Sequence, residues 1–141
     1  MGIGLSVAAS KTMRSLTNAE ASGSPAMVES FFACRAISRP VETIAEGLVC
    51  REPATLALTA LWKFVDDALL VADEDLLVAV HALAALAHIL VEPSGAAAFA
   101  GAWQRRTDFK GKRIVLILTG ANVTSEMLQR AVALPFSVES T

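Results

Sequence analysis

Three short segments hold the residues whose types and spacing could do chemistry. They are Glu-Thr-Ile-Ala-Glu-Gly at 42–47, Glu-Pro-Ser-Gly-Ala-Ala at 92–97 and Leu-Thr-Gly-Ala-Asn at 118–122. The last follows the apolar run Arg113 to Leu118, read as a strand, and precedes a helix that Thr124 or Ser125 can cap. In open α/β sheets ligands bind beyond the carboxyl ends of strands. There Thr119 offers a hydroxyl, and Gly120 lets the backbone approach a ligand closely. The same residues would also serve an ordinary β–α turn, and the pattern leaves both readings open. Glu92 precedes a proline, which pushes it out of helical geometry, so it separates two helices. Its carboxylate either caps the second helix or faces a site. Residues 42–47 show no helical period and end in Gly47, which indicates a loop pressed against a neighbour.

The elements that must position these segments follow from periodicity and breakers. Helices are predicted from Leu5 to about Arg14, from Ala26 to Ala36, and from Ala54 to Val65, the last with Pro53 in its first turn. Another runs from an Asp73 cap to about Leu90, with Glu74 and Asp75 against its positive end. Two more span Gly95 to about Trp103 and Thr124 or Ser125 to about Ala133. Strands are predicted at Ala68 to Val71 and at Arg113 to Leu118, the latter apolar on both faces as in the centre of a parallel sheet. Alternating strands and helices define an α/β fold, here a partial layered sheet with helices packed on it. No repeat or linker divides the chain, so residues 1–141 read as one domain, and two strands are few for a self-sufficient sheet.

Composition narrows the function classes. The chain has 141 residues, 54% of them hydrophobic, and a net charge of −2. Its densest basic cluster, Arg105, Arg106, Lys110, Lys112 and Arg113, brings no overall basic excess and no stacking aromatics, which argues against nucleic acid. The longest apolar run, Leu76 to Val91, has 16 residues interrupted by His81 and His88. A membrane span needs about 20, so a buried helix is expected. The two histidines lie about 10 Å apart along such a helix, too far to share an ion, and read as structural. Cys34 and Cys50 form no motif, and no signal-peptide pattern opens the chain, which fits a reduced, cytoplasmic setting.

Together, residues 22–123 resemble the serine/threonine dehydratase family, pyridoxal-phosphate enzymes of the tryptophan-synthase-β fold type (fold type II). Members read Glu-Thr-Ile-Ala-Asp-Gly-Leu and then Arg-Glu-Pro; here Glu42 to Leu48 is followed by Arg51-Glu52-Pro53. Their Val-Asp-Asp matches Val65-Asp66-Asp67, and their Val-Glu-Pro-Ser/Ala-Gly-Ala-Ala matches Val91 to Ala97. Their Gly-Lys-Arg-Val-Val-Val-Val-Leu-Ser-Gly-Gly-Asn matches Gly111 to Asn122, and their Glu-Gly-Ala-Pro-Ala-Met is similar to Ser22 to Met27.

The resemblance implies pyridoxal phosphate as cofactor and β-elimination of a hydroxy amino acid to a 2-oxo acid and ammonia. It implies that Thr119 faces the pyridine nitrogen, with Gly120 beside it. Gly47 would lie along the ring, and Glu92 at the floor of the site. Gly2 and Gly4 would belong to the phosphate-wrapping loop, although Met1 and Ile3 fill two of its glycine places. Ala121 replaces a second glycine and Ala21 a proline. Some members bind a divalent cation where Glu20 stands, but Ala26 takes the place of the completing acid, so no metal is expected. The family's Schiff-base lysine lies in an upstream Ser-Phe-Lys-x-Arg-Gly, and Lys11, Lys63, Lys110 and Lys112 have no such surroundings. The expectation is therefore an incomplete catalytic-domain fragment, the C-terminal half of an ammonia-lyase. It would be inactive alone and completed by an N-terminal half or an intact homologue. The alternative is a non-catalytic interaction protein that pairs with such a homologue.

Overall fold

Ala19 and Ala21, two residues apart and both fully buried, belong to a central strand. The computed structural model describes residues 5–9 and 14–136. Its elements are β1 (Leu5–Ala9), β2 (Arg14–Ala21), α1 (Ala26–Ala33), a single 3-10 turn (Glu46–Leu48), α2 (Thr55–Phe64) and β3 (Asp67–Val71). They continue with α3 (Asp73–Ala87), α4 (Pro93–Gln104), β4 (Arg113–Leu116) and α5 (Ser125–Val132). The sheet order is β3-β2-β1-β4, with β2 and β3 parallel and β1 antiparallel to both β2 and β4.

Alternation along β2 sends Ala19 and Ala21 to one face, where small side chains let α4 settle close. A Cβ on Gly101 of α4 would stand 3.2 Å from the Ala19 Cβ and 3.0 Å from Leu69 Cδ1. Above α4 lies α3, whose Leu76, Leu77, Val80 and Leu83 join Ala96, Ala97 and Ala100 in the main core. Each such leucine or valine contributes on the order of 1.5–3 kcal/mol by leaving water. A second, smaller cluster joins Met27 of α1 to Leu58 and Leu61 of α2. Asp67, at the start of β3, is tied by an ion pair to Arg105, just past the end of α4.

Several expectations need correction. The helix predicted from Leu5 to Arg14 is instead two antiparallel strands, β1 and β2, because backbone pairing on both sides of β1 outweighs local helix propensity. The strand predicted through Leu118 ends at Leu116 and lies at the edge of the described sheet, antiparallel to its neighbour. Its apolar side chains are therefore partly exposed, with Val115 at 52%. Helix α1 stops at Ala33 because Cys34 turns left-handed, at φ 53°. Pro53 precedes the α2 cap, Ala54, and does not enter the first turn. Asp73 is the first residue of α3 and Ala72 occupies the cap position. The apolar run 76–91 divides between α3, which ends at Ala87, and the non-helical connection to α4. Among the described residues no helix is long and apolar enough to cross a membrane. His81 Nδ1 donates to the Leu134 carbonyl at 2.9 Å, and His88 ends α3 in a left-handed turn, so each has a structural part.

Two glycines, Gly95 in α4 and Gly111 before β4, separate steric from conformational need. A Cβ on Gly95 would run into the Thr119 carbonyl, whereas one on Gly111 would meet nothing within 4 Å but sits at φ +75°. Gly95→Ala should lower unfolding free energy by more than about 2 kcal/mol, because the backbone it meets cannot swing aside. Gly111→Ala should lose only about 1–2 kcal/mol, from the left-handed conformation. Urea titrations of both variants against the parent chain check the ranking.

Candidate functional site

The loops that leave β4 and α3 meet at Glu92. This residue is extended, at φ −79° and ψ 163°, and α4 begins directly after it at Pro93. Its backbone N–H donates to the Gly120 carbonyl at 3.1 Å. One carboxylate oxygen, Oε1, accepts the Ser94 hydroxyl at 2.6 Å, and the other, Oε2, accepts the Asn122 N–H at 3.2 Å. The carboxylate does not cap α4 by taking a helix N–H, the plainer of the two readings for it. It spans from the start of α4 to the turn after β4. Gly120 adopts φ +72° in that turn, and a Cβ there would strike the Glu92 carboxylate. Glycine is required on both counts.

The 42–47 loop arrives from the other side and is fixed by Asp73. The Thr43 hydroxyl donates to Asp73 Oδ1 at 2.6 Å and the Ile44 N–H to Oδ2 at 2.9 Å. The Ala45 N–H then donates to Thr43 Oγ1 at 3.1 Å. The acid expected to cap α3 therefore organises this loop instead. Its last residue, Gly47, meets α4: a Cβ on Gly47 would lie 2.6 Å from Ser94 Oγ and 3.3 Å from Glu92 Oε1. Between the two loops opens a cleft of about 370 Å³, whose lining includes Gly47, Glu92, Ser94, Asn122 and Met127.

Of the site residues named from sequence, the structure brings Gly47, Glu92 and Gly120 together. Thr119 is exposed at the exit of β4, its backbone oxygen packed on Gly95, and it does not line the cleft. Gly2 and Gly4 lie outside the described residues. Sequence reasoning missed Ser94, Asn122 and Asp73. Ser94 and Asn122 lay inside the singled-out segments, and the spacing of Glu92 and Ser94 across the Pro93 turn was the available signal. Asp73 carried no signal beyond its place at a helix start.

Away from the cleft, β2 buries the polar residues Thr17, Asn18 and Glu20. Asn18 Nδ2 donates to Glu20 Oε1 at 3.1 Å, and Asn18 Oδ1 has no partner among the described residues. Burial raises the Glu20 carboxyl from its ordinary 4.5 to about 7, against the opposing Asn18 hydrogen bond. A protonated Glu20 could serve that lone oxygen through a flip of the Asn18 amide. Burial, with the Glu20 charge second, also pushes the Cys50 thiol up, which disfavours a thiolate nucleophile. Because the folded chain holds a proton that the unfolded chain has shed, stability should fall as pH rises from about 4.5 to about 7 and level off above. The loss should reach at most about 3 kcal/mol. Glu20→Gln should abolish that slope and be the more stable protein at pH 8, as judged by urea midpoints at pH 5 and 8.

Comparison with known proteins agrees with this geometry. Residues 1–120 match the pyridoxal-phosphate dependent enzyme family, and the chain belongs to it. It is 34% identical over 82 residues to L-threo-3-hydroxyaspartate ammonia-lyase of Saccharomyces cerevisiae, covering 58% of this chain and 25% of that protein. It is 29% identical over 90 residues to L-threonine ammonia-lyase of Thermotoga maritima, covering 64% and 22%. The structure of maize serine racemase superposes with a TM-score of 0.71 at 27% identity, over 83% of this chain and 38% of the other. The fold is that of the type II pyridoxal-phosphate enzymes. The chain spans about a quarter of the length of the curated relatives it matches.

The residues present fit this cofactor in part. The cleft beside Glu92 presents the Gly47 backbone and the polar side chains of Glu92, Ser94, Asn122 and Thr124, which suits contact with a flat ring carrying polar substituents. No lysine among the described residues lines the cleft: Lys63 lies 5.2 Å from the Phe64 ring, and Lys110 and Lys112 are exposed before β4; Lys11 is outside the described residues. The described residues fit a non-covalent wall for pyridoxal phosphate and do not fit its covalent anchor.

Proposed function

We propose that this chain supplies the glycine-and-carboxylate wall of a pyridoxal-phosphate-dependent ammonia-lyase for serine or threonine. The Schiff-base lysine comes from a second polypeptide that carries the other part of the fold, and the chain alone is inactive. The observation that carries the reading is a cleft lined by Gly47 and Glu92, with Gly120 packed on the Glu92 carboxylate and no lysine of the described residues on its wall. The ammonia-lyase names of the relatives from yeast and Thermotoga support the reaction class. Two free cysteines, Cys34 exposed and Cys50 half-buried, suit a reduced, cytoplasmic setting.

Pyridoxal phosphate, when bound, supplies an electron sink for the substrate's α-carbon. In this reading the chain's own residues orient and exclude. Gly47 would bring its backbone beside the ring, Glu92 would hold the turn that follows β4 with Gly120 packed on it, and the Thr119 hydroxyl, outside the cleft lining, would serve the ring nitrogen as the family resemblance implies. A hydroxyl cannot hold that nitrogen protonated as a carboxylate would, which keeps the electron sink mild and suits loss of a β-hydroxyl.

The test is reconstitution with an N-terminal half containing the lysine, followed by ammonia or 2-oxo-acid release from serine and threonine. The mixture should be active and neither part alone. Thr119→Ser should keep most of the rate. Thr119→Asp should lose at least about tenfold, which needs only about 1.4 kcal/mol on the barrier. A Thr119→Asp mixture as fast as the parent would withdraw Thr119 from the ring nitrogen.

A further inference from the structure

Ser94 stands where three segments touch. It is 8% exposed, its hydroxyl donates to Glu92 Oε1 at 2.6 Å, and Gly47 lies directly on it. A Cβ on Gly47 would come within 2.6 Å of Ser94 Oγ and 2.9 Å of its Cβ, leaving room there for a backbone only. The oxygen that Ser94 holds, Oε1, is also the atom nearest to where a Gly120 side chain would begin. The Ser94 hydroxyl and Glu92 carboxylate thus form a polar spacer between the backbones of two loops. Its far oxygen, Oε2, is the acceptor for Asn122 N–H.

We propose that Ser94 is a positioning residue: by orienting Glu92 it sets the separation of the 42–47 loop from the 119–122 turn, and so the width of the cleft. This rests on the reading above for what the cleft holds. An ionised carboxylate accepts but cannot donate, so its rotation is fixed by the donors around it. The side-chain contacts give it one donor on each oxygen, Ser94 and Asn122. Without the hydroxyl, Oε1 has only glycine backbones beside it and the carboxylate can turn toward water. The Asn122 bond, already long at 3.2 Å, then loosens. A serine that merely filled space at the start of α4 would, when removed, loosen α4 and the α3 helix packed in the same core, and leave Asn122 no worse than its surroundings.

Amide hydrogen exchange of the full 141-residue chain separates the two. In Ser94→Ala, Asn122 should exchange at least about tenfold faster while the amides of Val80 and Leu83 in α3 keep the parental rate. Ser94→Thr, which retains the hydroxyl, should keep Asn122 protected. Gly47→Ala, on the opposite loop, should reproduce the Ser94→Ala effect by displacing the hydroxyl, and the double variant should add nothing at Asn122. It also serves as the test if Ser94→Ala does not fold. Unchanged Asn122 exchange in the two single variants, or uniform acceleration of Asn122 and α3 alike, would overturn the proposal. The measurement needs neither cofactor nor partner. Reconstitution without ammonia release therefore counts against the function alone, and a silent Asn122 against the positioning role alone.

Discussion

A single carboxylate, that of Glu92, holds the candidate site together. Its backbone N–H reaches Gly120, one oxygen takes the Ser94 hydroxyl, and the other takes the Asn122 N–H. Charge-assisted hydrogen bonds of this kind are about twice as strong as neutral ones. Together the bonds tie the start of α4, residues 92–94, to the turn after β4, residues 120–122. The glycines follow from it: Gly120 must yield to the carboxylate, and Gly47 must yield to the serine that holds it. Asp73 plays the matching part for the 42–47 loop, through Thr43 and the Ile44 N–H. Two acids at two helix starts thus fix the edges of the cleft.

The scaffold beneath is built from small residues. Alanines at 19, 21, 96, 97 and 100 let α4 lie against β2 and α3 against α4, which places the start of α4, and with it Glu92, at the end of the sheet. The sheet is less complete than its packing. β3 and β4 form its two edges among the described residues, and Val115 and Ile117 on and just after β4 are substantially exposed. Exposed apolar edges call for cover, which agrees with a chain spanning 38% of the maize relative on which it superposes.

Much of this was legible in the residues. The β4 run, the helix at 125 onward with its Thr124 cap, and the break at Glu92-Pro93 follow from periodicity and from proline and capping chemistry, and the structure has each of them. The three segments carried the family through their order. β1 and β2 were not legible. Residues 14–21 contain Asn18, Glu20 and the short side chains of Ser15, Thr17, Ala19 and Ala21, a composition that hides a strand. It becomes one through flanking partners, which no local pattern reports. The same holds for the place of β4 at an edge, since an apolar strand reads alike in the middle of a sheet and at its margin. In the site, Glu92 and the two glycines stood out by type, whereas Asp73 matters through Thr43, 30 positions away in sequence, and Ser94 through its bond to Glu92 together with the close approach of the distant Gly47.

The central claim is that this chain offers pyridoxal phosphate a wall without an anchor. Borohydride reduction of the chain mixed with pyridoxal phosphate, followed by peptide mapping, tests it most directly. No band near about 410–420 nm and no stoichiometric adduct at a single lysine are expected, because a stable imine needs an amine held at the site. One defined adduct, at Lys11 or Lys63 for example, would contradict the account.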